Sequence, residues 1–283
     1  GRTTKNLRAV AVAVKNDIVA EKDPEEIEKY LACYSTKFQS DYDKYYKKLL
    51  ERASSIFQVA YEPKSKDSVR AMVPGAEFDR PGKQLPFSIN ARSAVMKCVM
   101  LRESQWNSRA LSKGKAVGLS QQVSENVLDI HCHLEGCTLN GKKRAPTKWV
   151  QQLWNLWFQD AQKRSTPEEW KHLTTHPITR KPCTQKMEDK MRDAYCPLNS
   201  IASLAIGQIL AELLTRKNSP HYKDTDGEDF GTEERLNMAV ATGTTHNAGS
   251  GIAEKAIQKN LHPEDWSNAM AKEVSLKFDK DRT

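Results

Sequence analysis

Apolar residues in the first quarter of the chain recur with helical spacing. Between residues 24 and 62 they follow the i, i+3, i+4 rhythm of one buried helix face, at Tyr42, Tyr45, Tyr46, Leu49, Leu50, Ala53, Ile56, Phe57 and Ala60. We interpret the tyrosines as core packing rather than as a stripe for stacking on sugars. Pro63 ends this helix, and the prolines and glycines of residues 63–87 predict a loop.

A second helix is predicted from about Ser88 to about Trp106, with Val95 and Val99 on its apolar face. Glu103 then lies near the C-terminal end, where the partial negative charge of the helix disfavours an ionised carboxylate. This position helps to keep the side chain protonated, as a general acid requires. The competing interpretation is a helix end running into a surface loop, with Glu103 solvated beside Arg102.

Residues 123–197 differ from the rest of the chain in composition. They contain four cysteines, several turn prolines and four of the six tryptophans: Trp149, Trp154, Trp157 and Trp170. A helical core stripe from Trp154 and Trp157 is favoured over sugar stacking. "PLNSIASLAIGQILAELL" from Pro197 predicts a strong helix, followed by an acidic loop and a helix–break–helix segment. With few convincing strands and no internal repeat, the sequence predicts a mainly α fold.

The net charge of +8 favours anionic partners, but the basic residues are scattered among acids and mostly form a solvated face. Because no arginine-rich run or aromatic-basic module is present, nucleic acid is not the expected partner. No stretch is long and apolar enough to predict a transmembrane helix. The sequence begins at Gly1 rather than Met, and we expect a processed protein whose signal peptide has been removed.

The six cysteines are either buried thiols in a reducing cell or disulfides in an exported protein. Three bridges allow about 15 pairings. We favour Cys132–Cys137 around Gly136, and the local pair Cys183–Cys196 between two prolines. Cys33–Cys98 is then left by subtraction.

Three segments in order resemble the transglycosylase SLT domain, the family of soluble lytic transglycosylases and goose-type lysozymes. They are "ESQWNSRALSKGKAVGLSQ" from Glu103, "LNSIASLAIGQILAELL" from Leu198 and "AVATGTTHNAGSG" from Ala239. The resemblance covers roughly residues 88–122 and 197–260. The matching positions are Glu103, Ser104, Asn107, Ala110, Ser112, Gly118, Leu119, Gln121, Asn199, Ile201, Asn247, Ala248 and Gly249.

The resemblance implies a lysozyme-like helical catalytic domain at residues 88–283, with a Cys- and Trp-containing insertion at about residues 123–196. Residues 1–87 are predicted to form an N-terminal helical extension. Three positions depart from the family pattern. Lys115 stands where glycine is usual, Ser120 replaces methionine, and His246 replaces the tyrosine of the catalytic site.

Glu103 is the expected catalytic residue, because cleavage of a glycosidic bond requires a proton on the leaving oxygen. In the family the same Glu then acts as base on the sugar C6 hydroxyl, which gives a 1,6-anhydro product. A second acid that holds a water would make the enzyme a lysozyme instead. The candidates are Asp224, Asp226, Glu228 and Asp229 of the acidic loop, or Asp129 and Glu135 in the insertion. A hydrated turn around Gly227 is the favoured interpretation of the acidic loop.

Ser104, Gln121, His246 and Asn247 are predicted to bind substrate or to orient the acid, with ordinary capping and turn bonding as the alternative for each. His246 would also make activity sensitive to pH near neutrality. "HCHLEGC" from His131 offers metal ligands, but its spacing is not a zinc pattern. We therefore predict neither a metal nor a cofactor.

The predicted function is cleavage of the β-1,4 linkage between N-acetylmuramic acid and N-acetylglucosamine by a lytic transglycosylase or lysozyme. The expected partners are peptidoglycan glycan strands, and the protein is expected to be a monomer outside the cytoplasm, periplasmic or secreted. A minority hypothesis is specificity for a deacetylated wall. Such a wall carries free ammonium groups, which the acidic loop would attract. The alternative function is a peptidoglycan-binding module of the same fold with impaired catalysis.

Overall fold

The computed structural model describes residues 38–53, 56 and 89–218. Most of these residues are helical, and their β structure is limited to one two-stranded hairpin and isolated bridges, so the mainly α prediction is confirmed for the described part of the chain. The elements are α1 (Gln39–Asp41), a π-helix (Tyr42–Tyr46), α2 (Lys47–Glu51), α3 (Ile89–Ser104), α4 (Ser124–Glu135), β1 (Cys137–Leu139), β2 (Lys142–Arg144), α5 (Lys148–Arg164), α6 (Pro167–Leu173), α7 (Lys190–Ala194) and α8 (Pro197–Asn218).

The chain divides into two compact units. One comprises Cys33–Pro74 and Val99–Ile206, and the other comprises Gly1–Ala32, Gly75–Cys98 and Gly207–Thr283. Most described residues belong to the first of these units, which carries the packing and the candidate site below. The predicted boundary after residue 87 lies outside the described residues and stays a prediction.

One face of α5 is buried along its whole length. Its buried positions follow the helical three–four spacing, at Trp149, Val150, Leu153, Trp154, Trp157, Phe158 and Ala161. Trp154 stacks on Phe158 with ring centroids 5.2 Å apart, and Trp157 is fully covered. The prediction that Trp154 and Trp157 form a core stripe is confirmed, and rings buried in this way offer no surface for a sugar.

The segment from α1 to α2 packs against α5 and α6. Tyr46 and Leu50 of this segment and the following Ala53 are fully buried, as the helical pattern predicts. At the edge of the contact the Arg52 guanidinium donates to both carboxylate oxygens of Asp160, with Nε at 2.8 and 3.0 Å. This bidentate geometry fixes the segment on α5 more specifically than a single-point ion pair would.

Two ion pairs extend the same contact onto α6. Lys44 Nζ lies 2.7 Å from Glu168, and Lys48 Nζ lies 3.1 Å from Glu169. Glu169 also completes a capping box with Thr166, which fixes the start of α6. Because these pairs are largely solvent-exposed, they set orientation and contribute little to stability.

Two disulfides join cysteines of the insertion, Cys132–Cys137 between α4 and β1 and Cys183–Cys196 just before α8. Both favoured pairings are confirmed. The third predicted pair lies outside the described residues, since neither Cys33 nor the Cys98 side chain is described. Among the helices of the described ranges, none has the length and apolar character required to cross a membrane.

Candidate active site

Glu103 is the penultimate residue of α3, so the predicted helix end is confirmed. Its side chain is half-buried, between the buried neighbours Leu101 and Ser104 and beside the exposed Arg102. The Ser104 hydroxyl donates to the Met100 carbonyl at 2.9 Å, which satisfies one carbonyl of the last helical turn. Glu103 therefore lies at the C-terminal, negative end of the helix dipole and partly out of solvent.

The chain reverses direction immediately after Glu103. Gln105 and Trp106 both have left-handed backbone conformations, with φ of 53° and 64°. Neither is glycine, so each conformation costs roughly 1–2 kcal/mol that the surrounding structure must offset. Strain of this kind is common at functional sites, where it fixes a local geometry.

The loop that follows folds back on itself through a small β arrangement. Val117 pairs with both Leu111 and Gln122, and the Gly118 amide donates to the Ala110 carbonyl at 2.9 Å. The Gln121 side chain donates to the Ala110 and Gly118 carbonyls at 3.2 and 3.0 Å. Gln121 thus stabilises the loop, and its predicted contact with sugar stays a prediction.

Lys115, the departure from glycine, has a φ of 60°. This is the left-handed conformation that glycine adopts without a steric cost. A lysine at this position therefore keeps the backbone geometry that a glycine would favour.

The turn after the loop is bonded to the start of α8. Ser120 donates from its amide to Ser200 Oγ at 3.0 Å and from its hydroxyl to the Ser200 carbonyl at 3.0 Å, and the two hydroxyl oxygens lie 2.8 Å apart. Gln122 Nε2 adds a bond to Ser120 Oγ at 2.8 Å. Ser120 is fully buried, so its hydroxyl is held in a polar contact with the first turn of α8.

Gly118 brings the same turn close to the residues before α8. Its φ is 73°, and a Cβ there would approach the Ala194 carbonyl oxygen to 3.0 Å and Ser200 Oγ to 3.4 Å. Two segments of the resemblance that are far apart in sequence, the loop after Glu103 and the start of α8, are therefore in direct contact. The intervening residues 123–196 begin after the loop and end at the start of α8.

The end of the insertion is fixed where it enters α8. The Asn199 side chain donates to the Thr184 carbonyl at 3.0 Å. Asp193 is fully buried and accepts from the amides of Thr184 and Asp189 and from Arg192. Together with the Cys183–Cys196 disulfide, these contacts hold residues 183–196 against the turn of Gly118.

The structure places only part of the predicted site. Glu103, Ser104 and Gln121 lie in the described stretch around the end of α3. The other predicted site residues lie outside the described residues: Asp224, Asp226, Glu228, Asp229, His246 and Asn247. Of the acids considered in the insertion, Asp129 and Glu135 are exposed on α4, and Asp129 faces His133 Nε2 at 3.8 Å.

The disulfide between Cys132 and Cys137 argues against a zinc site at "HCHLEGC". Metal binding requires thiolates, but Cys132 and Cys137 are bonded to each other, and His133 Nδ1 lies 2.7 Å from Thr147 Oγ1. Elsewhere in the described residues, Cys183, Asp193 and Cys196 cluster within 4.8 Å. Their cysteines also form a disulfide, which leaves no thiolate for a metal.

An aromatic cluster beside Glu103 is the feature that the sequence interpretation did not assign to the site. Tyr42 stacks on Trp106 with ring centroids 4.4 Å apart, and Tyr46 lies 6.4 Å from the same ring. Burial raises the pKa of Tyr46 well above its ordinary value. The tyrosines were predicted as core, but their spacing does not show that Trp106 is the residue they pack on.

No family model, no curated protein and no solved structure matches this chain. The functional argument accordingly depends on the residues and contacts described above.

Proposed function

We propose that the chain is a peptidoglycan-cleaving glycosidase, a lytic transglycosylase or lysozyme, with Glu103 as its general acid and base. The main observation that supports this proposal is a contact between the loop after Glu103 and the start of α8. Ser120 and Ser200 form this contact. If the short motifs matched by chance, segments so far apart in sequence would not be expected to contact each other. Their contact therefore supports a single site near the end of α3.

The position of Glu103 suits the proposed chemistry. In the proposed reaction the half-buried carboxyl at the end of α3 donates a proton to the glycosidic oxygen. In the transglycosylase reaction the resulting carboxylate takes the proton of the sugar C6 hydroxyl, so that one Glu performs both steps without an added water.

Hydrolysis would instead require a carboxylate that activates water, about 6.5–9.5 Å from the acid for inversion or about 5–5.5 Å for retention through a nucleophile. Asp129 and Glu135 are exposed on α4, which favours ordinary solvation for both. These two are the candidate second acids that lie in the described residues, and the product decides between transglycosylase and lysozyme. The acidic-loop carboxylates, and with them specificity for a deacetylated wall, remain predictions.

The two disulfides support a location outside the cytoplasm, periplasmic or secreted, because such bonds persist in oxidising compartments. A wall-cleaving enzyme meets its substrate there.

Digestion of purified wall sacculi tests the proposal. Wild-type protein is expected to release soluble fragments, whose masses would show 1,6-anhydro ends for a transglycosylase or reducing ends for a lysozyme. Binding to sacculi without release would replace the proposal with the non-catalytic binding module. A parallel digestion of sacculi before and after enzymatic deacetylation tests the substrate hypothesis, since equal or faster release from the acetylated wall would discard it.

A further inference from the structure

Trp106 is buried although it lies in the loop just after the helix that carries Glu103. It is only 4% exposed, and its backbone is one half of the strained left-handed reversal. Contacts between this large ring and the rest of the protein can therefore fix the position of the end of α3.

Two tyrosines from the N-terminal segment hold this ring. Tyr42 lies almost flat on Trp106, at 4.4 Å between centroids and 28° between planes, and Tyr46 packs at 6.4 Å and 31°. Offset stacking at these distances is the favourable arrangement for aromatic pairs. The loop after Glu103 is thus covered by residues that precede the predicted catalytic domain in sequence.

The backbone of the tyrosines is itself unusual. Residues Tyr42–Tyr46 form a π-helix, a rare conformation that is often found at functional sites. Residues four apart lie on one face of a helix, and Tyr42 and Tyr46 both contact the Trp106 ring. The π-helix coincides with the segment that packs on Trp106.

Tyr46 contacts two further elements. Its ring packs near Trp106 with centroids 6.4 Å apart, and its hydroxyl lies 2.9 Å from His172 Nε2 on α6. The His172 ring stacks in turn on Tyr45, with centroids 3.6 Å apart and planes 5° from parallel. The loop is therefore tied through Tyr46 to α6, whose position is set by the ion pairs of Lys44 and Lys48.

We propose that Tyr42 and Tyr46 are positioning residues, which act through Trp106 to fix the end of α3 and the orientation of Glu103. This inference rests on the proposed function and adds a role for the N-terminal segment. The left-handed conformations at Gln105 and Trp106 require support from outside the loop, and the aromatic cover supplies it. A misplacement of a catalytic group by about 1 Å can cost about a hundredfold in rate.

Removal of the ring of Tyr42 tests the proposal. Tyr42→Ala is expected to lower kcat on sacculi by about ten- to hundredfold with little change in KM, because the acid is displaced while the distant glycan contacts remain. Tyr42→Phe keeps the stack and is expected to restore most of the loss. Phe158→Ala, which breaks the buried ring pair of α5, is the control for a general loss of stability.

A second measurement does not depend on activity. Protein labelled with ¹³C at the glutamate carboxyl groups, with the Glu103 signal assigned through Glu103→Gln, is titrated with pH. Tyr42→Ala is expected to shift the Glu103 resonance and its titration midpoint, while Tyr42→Phe and Phe158→Ala leave both in place.

The outcomes separate the two claims. An unchanged kcat and Glu103 titration in folded Tyr42→Ala overturns the positioning role, as does an equal loss in Phe158→Ala. Wild-type protein that releases nothing from sacculi overturns the proposed function alone, and the carboxyl titration then decides whether Tyr42 positions Glu103.

Discussion

Ser120 and Ser200 place their hydroxyl oxygens 2.8 Å apart in the fully buried contact between the loop after Glu103 and the first turn of α8. Each serine satisfies polar groups of the other, since the Ser120 amide bonds Ser200 Oγ and the Ser120 hydroxyl bonds the Ser200 carbonyl. The pair joins positions 80 residues apart. It joins the loop after Glu103 to the start of α8.

This pair predicts a measurable coupling. Ser120→Ala leaves the buried groups of Ser200 with fewer partners, and it should cost about 1–3 kcal/mol of unfolding free energy. Ser200→Ala should cost a similar amount. The double variant should cost less than the sum, because the second change removes a group that the first has already left unpaired. Urea unfolding of the four proteins gives the coupling energy, and strict additivity would contradict the contact.

Gly118 provides a second test of the same junction. Gly118→Ala is expected to be more destabilising than Gly141→Ala, because both residues have positive φ near 74° but only at Gly118 does the new Cβ meet the Ala194 carbonyl. The shared backbone strain is roughly 1–2 kcal/mol. Comparison of the two variants by thermal or urea unfolding isolates the steric part, and equal losses would argue against the close approach.

The contact of the two serines shows where sequence reasoning ends. In the sequence Ser120 stands out only as a departure from the methionine of the resembled pattern, because no sequence pattern predicts its hydrogen bonds with Ser200, 80 residues further on. Helical spacing was sufficient to predict the α5 tryptophans as core and the end of α3 at Glu103. Short loop lengths were sufficient for the two disulfides.

The tyrosines illustrate a different limit. Their spacing predicted a buried face correctly, but spacing identifies the face and not the surface it meets. The strained reversal at Trp106 and the π-helix opposite it depend on tertiary packing. The predicted acids and amides after residue 218 lie outside the described residues, so their part of the site stays a prediction.

The disulfides should contribute unequally to stability. Cys183–Cys196 closes the longer loop, with a separation of 13 residues against 5 for Cys132–Cys137. Loop-closure entropy then gives about 3 kcal/mol for the longer bridge and less for the shorter. Paired Cys→Ser variants measured by urea unfolding test the order. Six titratable thiols in the unreduced, denatured protein would contradict both bridges.

Stability should fall as pH falls from about 7.5 to about 5.5. Burial is the first cause that lowers the pKa of His133, His172 and His176 below the ordinary value of 6.5. Each is thus favoured as neutral in the folded protein, whereas the unfolded chain takes up a proton near its ordinary pKa. Each neutral, buried histidine therefore contributes to folding stability above the pKa of the unfolded chain. This contribution is lost as the pH falls through that pKa.

Urea unfolding of wild type and His172→Gln at both pH values measures this effect. The variant should show a smaller loss of unfolding free energy on acidification, because one of the three protonation sites is gone. The ion-paired Glu168 and Glu169 have pKa values lowered below 4.5, so they remain charged over this range. A free energy that is constant or rises toward pH 5.5 would contradict the burial of these histidines.

The central claim is that Glu103 transfers the proton in glycan cleavage, and the direct test is Glu103→Gln on purified sacculi. The variant keeps the shape of the side chain, so it should unfold at the wild-type denaturant midpoint within error. Its release of soluble fragments should fall by about 10²–10⁴-fold, the usual contribution of general acid–base catalysis. Glu125→Gln, an exposed change on α4, should leave release at the wild-type rate. Turnover by Glu103→Gln equal to that of wild type would contradict the account.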